Sequence, residues 1–421
     1  MNRYQLTSLA GTFVLAGVAW AFSKKRSRVK PQTILWSLLL QFAFAFLIMK
    51  TSAGERSFSA VNKACAHLLA FEEEGARFVF GTLALSPGES GSTGFYFAFQ
   101  VLPTIIFLSS LMSLLYYLGV MQKIVQGFAW IMARTCRTSG AESLSISANI
   151  FMGQTEAPLL IRPYIESLTE SELFCVMVGG MAHIAAGIMI AYVGMLSSYF
   201  PDIAGHLLAA QLMATPATIL IAKLLIPEAG APKTMGSVKI GYHEESTNAI
   251  EAAAAGGSLG MTLALNVAAM LVAFMSIIAL INWGLHHLLG LFGHGEIGLE
   301  TLLGWIFAPV AWVLGVPWSD CLQVGQWMGE KTAFNEFIAY SEMARYAATH
   351  GAQAISHRAY VIAAHALCGF SNFLSIGIQI GGIGPMAPTR RKDLARLGLL
   401  ALLGGSLACF MTASITGILI P

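Results

Sequence analysis

The stretch GQTEAPLLIRPYI, residues 153–165, sets Gln154, Thr155 and Glu156 side by side in a chain that is otherwise mostly apolar, with Pro158 two residues past the carboxylate. Of the 421 residues, 56% are hydrophobic and 11% charged, against about 25% charged in an ordinary soluble domain. That contrast places the chain in the membrane class. A carboxylate in a bilayer core costs at least about 2.5–3.5 kcal/mol on insertion scales, and it persists where it faces a cavity or a partner. Proline suits the first turn of a helix and leaves Glu156 near the positive end of a half-helix. Such a terminus fits a structural pairing of the carboxylate with the helix, and it equally fits the holding of a polar ligand. The two are compatible.

A full span needs about 20 apolar residues. Candidates lie at 5–22, 32–50, 96–121, 172–198, 205–227, 258–283, 356–383 and 395–419. The first could be a signal peptide, since Ala19-Trp20-Ala21 offers a cleavage pattern, but the positive charge of Lys24-Lys25-Arg26-Ser27-Arg28-Val29-Lys30 follows the apolar core instead of preceding it. It reads as an uncleaved helix with its N-terminus outside. Alternating sides from there puts the 24–30 loop, Lys123, Arg134, Arg137, Lys233, Lys239, Arg390-Arg391-Lys392 and Arg396 all in the cytoplasm. The positive-inside bias therefore supports eight spans with both termini on the outer face.

Residues 124–168 and 301–344 do not read as plain spans, because polar residues interrupt their apolar stretches. For the charge count to hold, each must leave and return on one side. Both are expected to be re-entrant helical hairpins of opposite orientation, tolerated where protein or a water-filled cavity surrounds them. The spans that follow carry Gly179-Gly180 and Ala185-Ala186-Gly187 in one case and Gly369-Phe370-Ser371-Asn372 in the other, which predicts helices broken at the midplane. Thr155-Glu156 has a counterpart in Asn335-Glu336. Two such units in opposite orientation are the layout of a secondary transporter. Residues 55–85 place Phe58, Val61, Leu68 and Leu69 on one helical face and charges on another, the pattern of an interfacial helix. Pro87, Gly88, Gly91 and Gly94 mark a loop over 84–95. The fold class expected is an all-α polytopic membrane protein. Its scaffold would be 1–121 and 258–300, with working units 122–227 and 301–421 and a cytoplasmic linker 228–257.

Gln154, Thr155, Glu156, Glu336, Asn372 and Ser375 supply amide, hydroxyl and carboxylate groups, with Phe370 offering a ring face. That set suits a neutral, hydroxyl-rich ligand with amide-like edges. No arginine stands in the hairpin tips, where phosphate or carboxylate recognition would want one. The net charge of +2 and the lack of a basic run interleaved with aromatics argue against nucleic acid. Six well-separated cysteines show no ligand spacing and read as buried thiols. Gly256-Gly257-Ser258-Leu259-Gly260 matches the nucleophile-elbow pattern, which needs a strand before it and a helix after it; an alanine-rich stretch precedes it here. His286-His287 lacks metalloprotease spacing and reads as a span end, while Asp320, Glu330 and Lys331 are expected to pair within the second hairpin. An intramembrane hydrolase using Glu156 and Glu336 would need a nucleophile, metal or activated water, and no such constellation is present.

The stretches GQTEAPLL, NEFIAY and SNFLSIGIQIGGIG closely resemble signature segments of the concentrative nucleoside transporters, in the right order, and the resemblance runs over nearly the whole chain from about residue 30. The short N-terminus and eight-span layout look like the bacterial branch. The resemblance implies a homotrimer in the inner membrane, each protomer with its own pathway, importing purine and pyrimidine nucleosides with sodium or protons, without an enzymatic step or cofactor. It implies that Gln154, Thr155 and Glu156 contact the base and that Glu336, Asn372 and Ser375 hold the ribose, with Phe370 near the base. Gly153 is where family members vary with base preference, and glycine resembles the broad or purine-accepting type. The implied sodium ligands are Asn149, Met152, His183 and Ile184, largely through backbone carbonyls. Here the chain departs from the family, since position 183 is commonly a small hydroxyl residue and imidazole is a poor substitute for hard oxygen. The intact GQTEAP still resembles the sodium-coupled members. A proton-coupled symporter with a titrating His183 is the alternative.

Overall fold

The computed structural model describes residues 2–85, 89–236, 246–351 and 353–421; Pro87, Gly88 and Lys239 lie outside them. Among the described residues every regular element is helical and no strand occurs. The chain runs α1 (Arg3–Ala21), α2 (Pro31–Lys50), α3 (Ser52–Phe80), α4 (Phe97–Gln100), α5 (Leu102–Tyr117), α6 (Val120–Cys136), α7 (Gly140–Ala148), a 3₁₀ helix (Ala157–Ser167), α8 (Glu170–Ala182), α9 (Ala186–Leu196) and α10 (Ile203–Leu225). It continues with α11 (Ala249–Gly290), α12 (Leu299–Val313), α13 (Cys321–Ala333), α14 (Glu336–His350), α15 (His357–Leu367), α16 (Phe373–Ile383) and α17 (Arg391–Leu419).

Among the described residues, six helical stretches are long and apolar enough to cross a membrane: Pro31–Lys50, Phe97–Tyr117, Glu170–Leu196, Ile203–Leu225, Ala249–Gly290 and Pro388–Leu419. The expected first span is the 19-residue α1 and the expected seventh divides into α15 and α16, of 11 residues each; none of these is among the six. The two regions expected as single hairpins are each cut by a turn. Arg137, at φ 55, separates α6 from α7, and Gly315, at φ 92, separates α12 from α13. The first helix–turn–helix unit is therefore α7 with the 3₁₀ helix, and the second is α13 with α14. The arm after Glu156 winds as a 3₁₀ helix with Pro158 in its first turn and Pro163 inside. Pro158 suits that first turn, but Pro163 removes an interior N–H donor and disfavours regular α winding there.

Caps fix where the half-helices start. Ser139 and Glu142 form a reciprocal capping box on α7, and Thr169 and Glu172 form another on α8. Asn335 caps α14, accepting from the Ile338 N–H at 2.9 Å, and Asn372 caps α16, accepting from the Ser375 N–H at 2.9 Å. The predicted breaks are present at 183–185, between α8 and α9, and at 368–372, between α15 and α16.

Helix α17 packs against α1, α8, α10 and α15, and α10 also lies along α2. Small residues let α17 approach both breaks. A Cβ on Gly369 would fall 2.5 Å from Cys409 Sγ and 2.9 Å from the Met181 carbonyl oxygen, and one on Gly405 would fall 2.6 Å from Met181 Cβ. The GxSxG stretch lies inside α11, so the nucleophile elbow is ruled out. Its Gly256 and Gly260 instead seat α11 against α5, where a Cβ would meet Ser109 and Ile106 backbone within 3 Å. All six cysteines are free and buried. Asp320, Glu330 and Lys331 do not pair with one another. Asp320 accepts from the Ser356 N–H and hydroxyl at the start of α15, and Lys331 donates to the Ala366 carbonyl at its end.

Candidate functional site

The two breaks lie against each other. The Phe370 N–H of the second donates to the His183 carbonyl of the first at 3.2 Å. Cys409 Sγ, from α17, lies 3.7 Å from the Ala182 carbonyl oxygen and 3.4 Å from that of Cys368, so one side chain touches both breaks. Unwinding frees backbone groups that a membrane interior cannot hydrate. Gln211 of α10 satisfies one pair, accepting from the Ile184 N–H at 3.3 Å and donating to the Ile184 carbonyl.

Around the second break, Glu336 is buried and accepts from two donors. The Tyr192 hydroxyl reaches Oε1 at 3.0 Å and Asn372 Nδ2 reaches Oε2 at 3.1 Å. Asn372 is used twice, since its Oδ1 caps α16 while its amide nitrogen faces Glu336. Each carboxylate oxygen retains acceptor capacity beyond these bonds. From the first unit, Gln154 Nε2 donates to Ser375 Oγ at 3.0 Å, and Gln154 Oε1 accepts from Gln379 Nε2 at 3.2 Å. Gln379 also donates to the Met177 carbonyl at 2.9 Å. A Cβ on Gly180 would fall 2.8 Å from Gln379 Nε2 and 2.9 Å from Gln154 Cβ, so glycine is what admits this amide chain. Thr155 packs on Gly382, where a Cβ would fall 2.3 Å from its methyl carbon.

Glu156 is half-buried. Its Oε2 accepts from the Gly153 N–H at 3.1 Å, and its side chain lines a cavity of about 160 Å³ together with Met152, Ala185, Ser109, Ser113 and Tyr116. The structure thus joins Glu336 to Asn372 and Gln154 to Ser375, while Glu156 opens toward α5 and α11. Phe370 is half-buried at the second break.

The residues singled out for sodium also gather. His183 Nδ1 lies 2.8 Å from the Gly179 carbonyl oxygen, and a Cβ on that glycine would be 3.3 Å from Asn149 Nδ2, so Asn149 and His183 flank one residue. Asn149 Nδ2 donates to the Ser145 carbonyl at 3.1 Å, while its Oδ1 is buried without a hydrogen-bond partner. Met152 and Ile184 are buried on either side of the Ala186 N–H bond to the Phe151 carbonyl, 3.0 Å. An orphaned, buried amide oxygen is a hard donor of the kind that a hard cation takes. His183 Nε2 lies 3.2 Å from Thr215 Oγ1. A neutral ring with its proton on Nδ1 satisfies both contacts, donating to the carbonyl and accepting from the hydroxyl.

Tyr192, Gln211, Thr215 and Gln379 were not among the residues read from sequence. Gln211 and Gln379 left a signal, being lone amides in apolar helices. Tyr192 left none, because its partner is 144 positions away.

Sequence-family comparison matches residues 10–83 to "Na+ dependent nucleoside transporter N-terminus", residues 98–199 to "Nucleoside recognition" and residues 206–417 to "Na+ dependent nucleoside transporter C-terminus". An uncharacterized transporter of Haemophilus influenzae is 44% identical, over 99% of this chain and 98% of its own. Human solute carrier family 28 member 3 is 38% identical over the full chain, which spans 60% of that protein's length. The structure of CNTnw in an inward-facing substrate-bound state superposes with a TM-score of 0.91 at 41% identity, covering 99% of this chain and 98% of that one. An outward-facing CNTnw variant gives 0.92 at 40% identity over the same shares.

Proposed function

The chain belongs to the Na+ dependent nucleoside transporter family, is not an enzyme, and from that premise we propose that it imports nucleosides by symport with sodium, holding the substrate between the two helix–turn–helix tips and the two breaks. The observation that carries this reading is the cluster of Glu336, Asn372 and Tyr192 beside the second break. A carboxylate with spare lone pairs, fixed by two donors, is built to accept both hydroxyls of a vicinal diol. The ribose lies on Glu336, Asn372 and Ser375. The base lies toward Gln154, Thr155, Glu156 and Phe370, and the Gln154–Ser375 bond makes the two halves of the site contiguous. Glycine at position 153, beside Glu156, fits acceptance of purines as well as pyrimidines by the family resemblance.

Sodium sits at the first break on Asn149, Met152, His183 and Ile184. His183 contributes its carbonyl oxygen, with the ring turned to Gly179 and Thr215 and kept neutral. The protein is a homotrimer of the bacterial inner membrane with eight spans and both termini outside. Units 122–227 and 301–421 carry re-entrant hairpins of opposite orientation on a scaffold of 1–121 and 258–300, with 228–257 as a cytoplasmic linker and α3 lying in the interface.

Uptake of labelled uridine into proteoliposomes tests the whole proposal. An inward sodium gradient at equal pH should drive accumulation of unchanged uridine, and His183→Ser should keep or strengthen it. Accumulation driven by a proton gradient without sodium, and lost in His183→Ser, would replace sodium with protons as the coupled ion.

A further inference from the structure

Where α1 ends, α2 begins and α6 ends, a cleft of about 80 Å³ opens, away from both breaks. Arg28, Lys30 and Arg137 line it. All three are exposed, and none of their side chains has a hydrogen-bond or ion-pair partner among the described residues. Thr33 lines it too. It is 7% exposed, and its hydroxyl has no partner among the described residues. The floor holds Lys223, whose Nζ lies 2.7 Å from Glu142 Oε2 and 3.8 Å from Glu228 Oε2. Glu228 is further engaged by the Thr169 hydroxyl at 2.9 Å and the Gly230 N–H at 2.8 Å. The acids are thus committed, and among the described residues four cations surround the cleft against two carboxylates.

Three unpaired cations at one opening repel one another unless an anion joins them. Arg137 adds a second cost. It is the one non-glycine residue at positive φ among the described residues, in the position after a helix where glycine fits without strain. Its guanidinium presents a planar fork that matches phosphate oxygens in pairs. Depth in the bilayer comes from tryptophan. Trp20 closes α1, Trp36 lies in the second turn of α2 and Trp130 lies two turns before Arg137, and all three are exposed. Tryptophan concentrates at the boundary between hydrocarbon and headgroups.

We propose that this cleft binds the phosphate of an anionic phospholipid headgroup, with Arg28, Lys30 and Arg137 as its charge partners and Thr33 as a neutral donor. The floor transmits the occupancy inward, because Glu142 belongs to the capping box that starts α7. A seated headgroup steadies the base of the first helix–turn–helix unit without touching the nucleoside site.

Native mass spectrometry and thermal unfolding of the whole protein in neutral detergent test this, with short-chain phosphatidylglycerol, phosphatidylcholine and inorganic phosphate as separate probes. Wild type should retain and be stabilised by phosphatidylglycerol alone. Each basic side chain at an anionic surface is worth about fivefold in affinity, so Arg28→Gln/Lys30→Gln/Arg137→Gly should lose about a hundredfold. Arg137→Gly alone, which relieves the backbone, should lose about fivefold while unfolding no earlier than wild type. Arg3→Gln/Lys63→Gln, with charges removed elsewhere, should behave as wild type. Equal retention by the triple variant overturns the proposal, as does equal loss in Arg3→Gln/Lys63→Gln. Protection by inorganic phosphate that matches phosphatidylglycerol overturns the lipid and makes free phosphate the ligand.

Discussion

Replacing Glu336 with Gln keeps the shape of the side chain and removes its charge. Tyr192 still finds an acceptor in the amide oxygen. Asn372 does not, because its Nδ2 then faces an NH₂ group, and it cannot flip to offer oxygen while Oδ1 caps α16 at 2.9 Å from the Ser375 N–H. One of the two ribose hydroxyls assigned to this carboxylate likewise meets a donor in place of an acceptor. A hydrogen bond to a charged group is worth about 1.5–3 kcal/mol, which at about 1.4 kcal/mol per decade predicts a roughly 10- to 150-fold loss of uridine affinity. The readout is equilibrium binding of labelled uridine and of 2′,3′-dideoxyuridine to wild type and Glu336→Gln, with the unfolding midpoint as a control for fold. Wild type should prefer uridine strongly, and in the variant that preference should shrink by the same roughly 10- to 150-fold, with dideoxyuridine little changed. The cycle isolates the diol term, since each analogue removes one side of the contact. If dideoxyuridine binding falls as far as uridine binding, Glu336 acts on the site's shape, and the ribose assignment is refuted.

Two further outcomes follow from the packing. Gly369→Ala should destabilise the protein by about 1–3 kcal/mol, the usual cost of overpacking, since its Cβ meets Cys409 Sγ and the Met181 carbonyl oxygen; an unchanged thermal midpoint in detergent would show that the breaks are looser than the contacts imply. Burial raises the carboxyl of Glu72, on α3, to about 7, with the Thr104 hydroxyl bond opposing the shift. Because the folded value lies above the unfolded one near 4.5, the native state holds the extra proton, so this contribution is full below pH 4.5 and is lost as pH rises through about 7. Glu72→Gln should flatten that slope in thermal unfolding scans, and a slope identical to wild type would contradict it.

What could be read from the sequence was local in origin. The breaks were visible because small and polar residues interrupt apolar runs, and Asn335 and Asn372 are cap residues standing directly before helices. Glu336 stood out because carboxylates are costly in hydrocarbon. The limits of the helix–turn–helix units were not visible. They depend on Arg137 taking a glycine-like conformation and on Gly315, a single residue in an apolar stretch, turning the chain. The pairing expected among Asp320, Glu330 and Lys331 failed for a related reason. Nearness in sequence suggested it, but the helix ends of α15 supply Ser356 and the Ala366 carbonyl as partners. Tyr192 and Gln379 belong to the same class, since tertiary contacts assign their roles.

The hydrogen bonds between the two units bear on coupling. Symport requires that the affinity for one ligand depend on the other, and that dependence is reciprocal. In the proposed assignment sodium occupies the first break and the nucleoside bridges the first tip and the second break. The bonds from the Phe370 N–H to the His183 carbonyl, from Gln154 to Ser375 and from Gln379 to the Met177 carbonyl all cross between those two units. A cation drawing on the His183 and Ile184 carbonyls would fix the same backbone that positions Phe370, and Asn149 packs beside Gly179, whose carbonyl meets the His183 ring. On that proposed assignment, sodium binding would order part of the nucleoside site before the nucleoside arrives, which would lower the ordering cost that the substrate must meet. The nucleoside, by closing Gln154 and Ser375 around it, returns the same free energy to the cation. A transporter built this way needs no side chain shared by the two ligands, because the shared element is the pair of breaks.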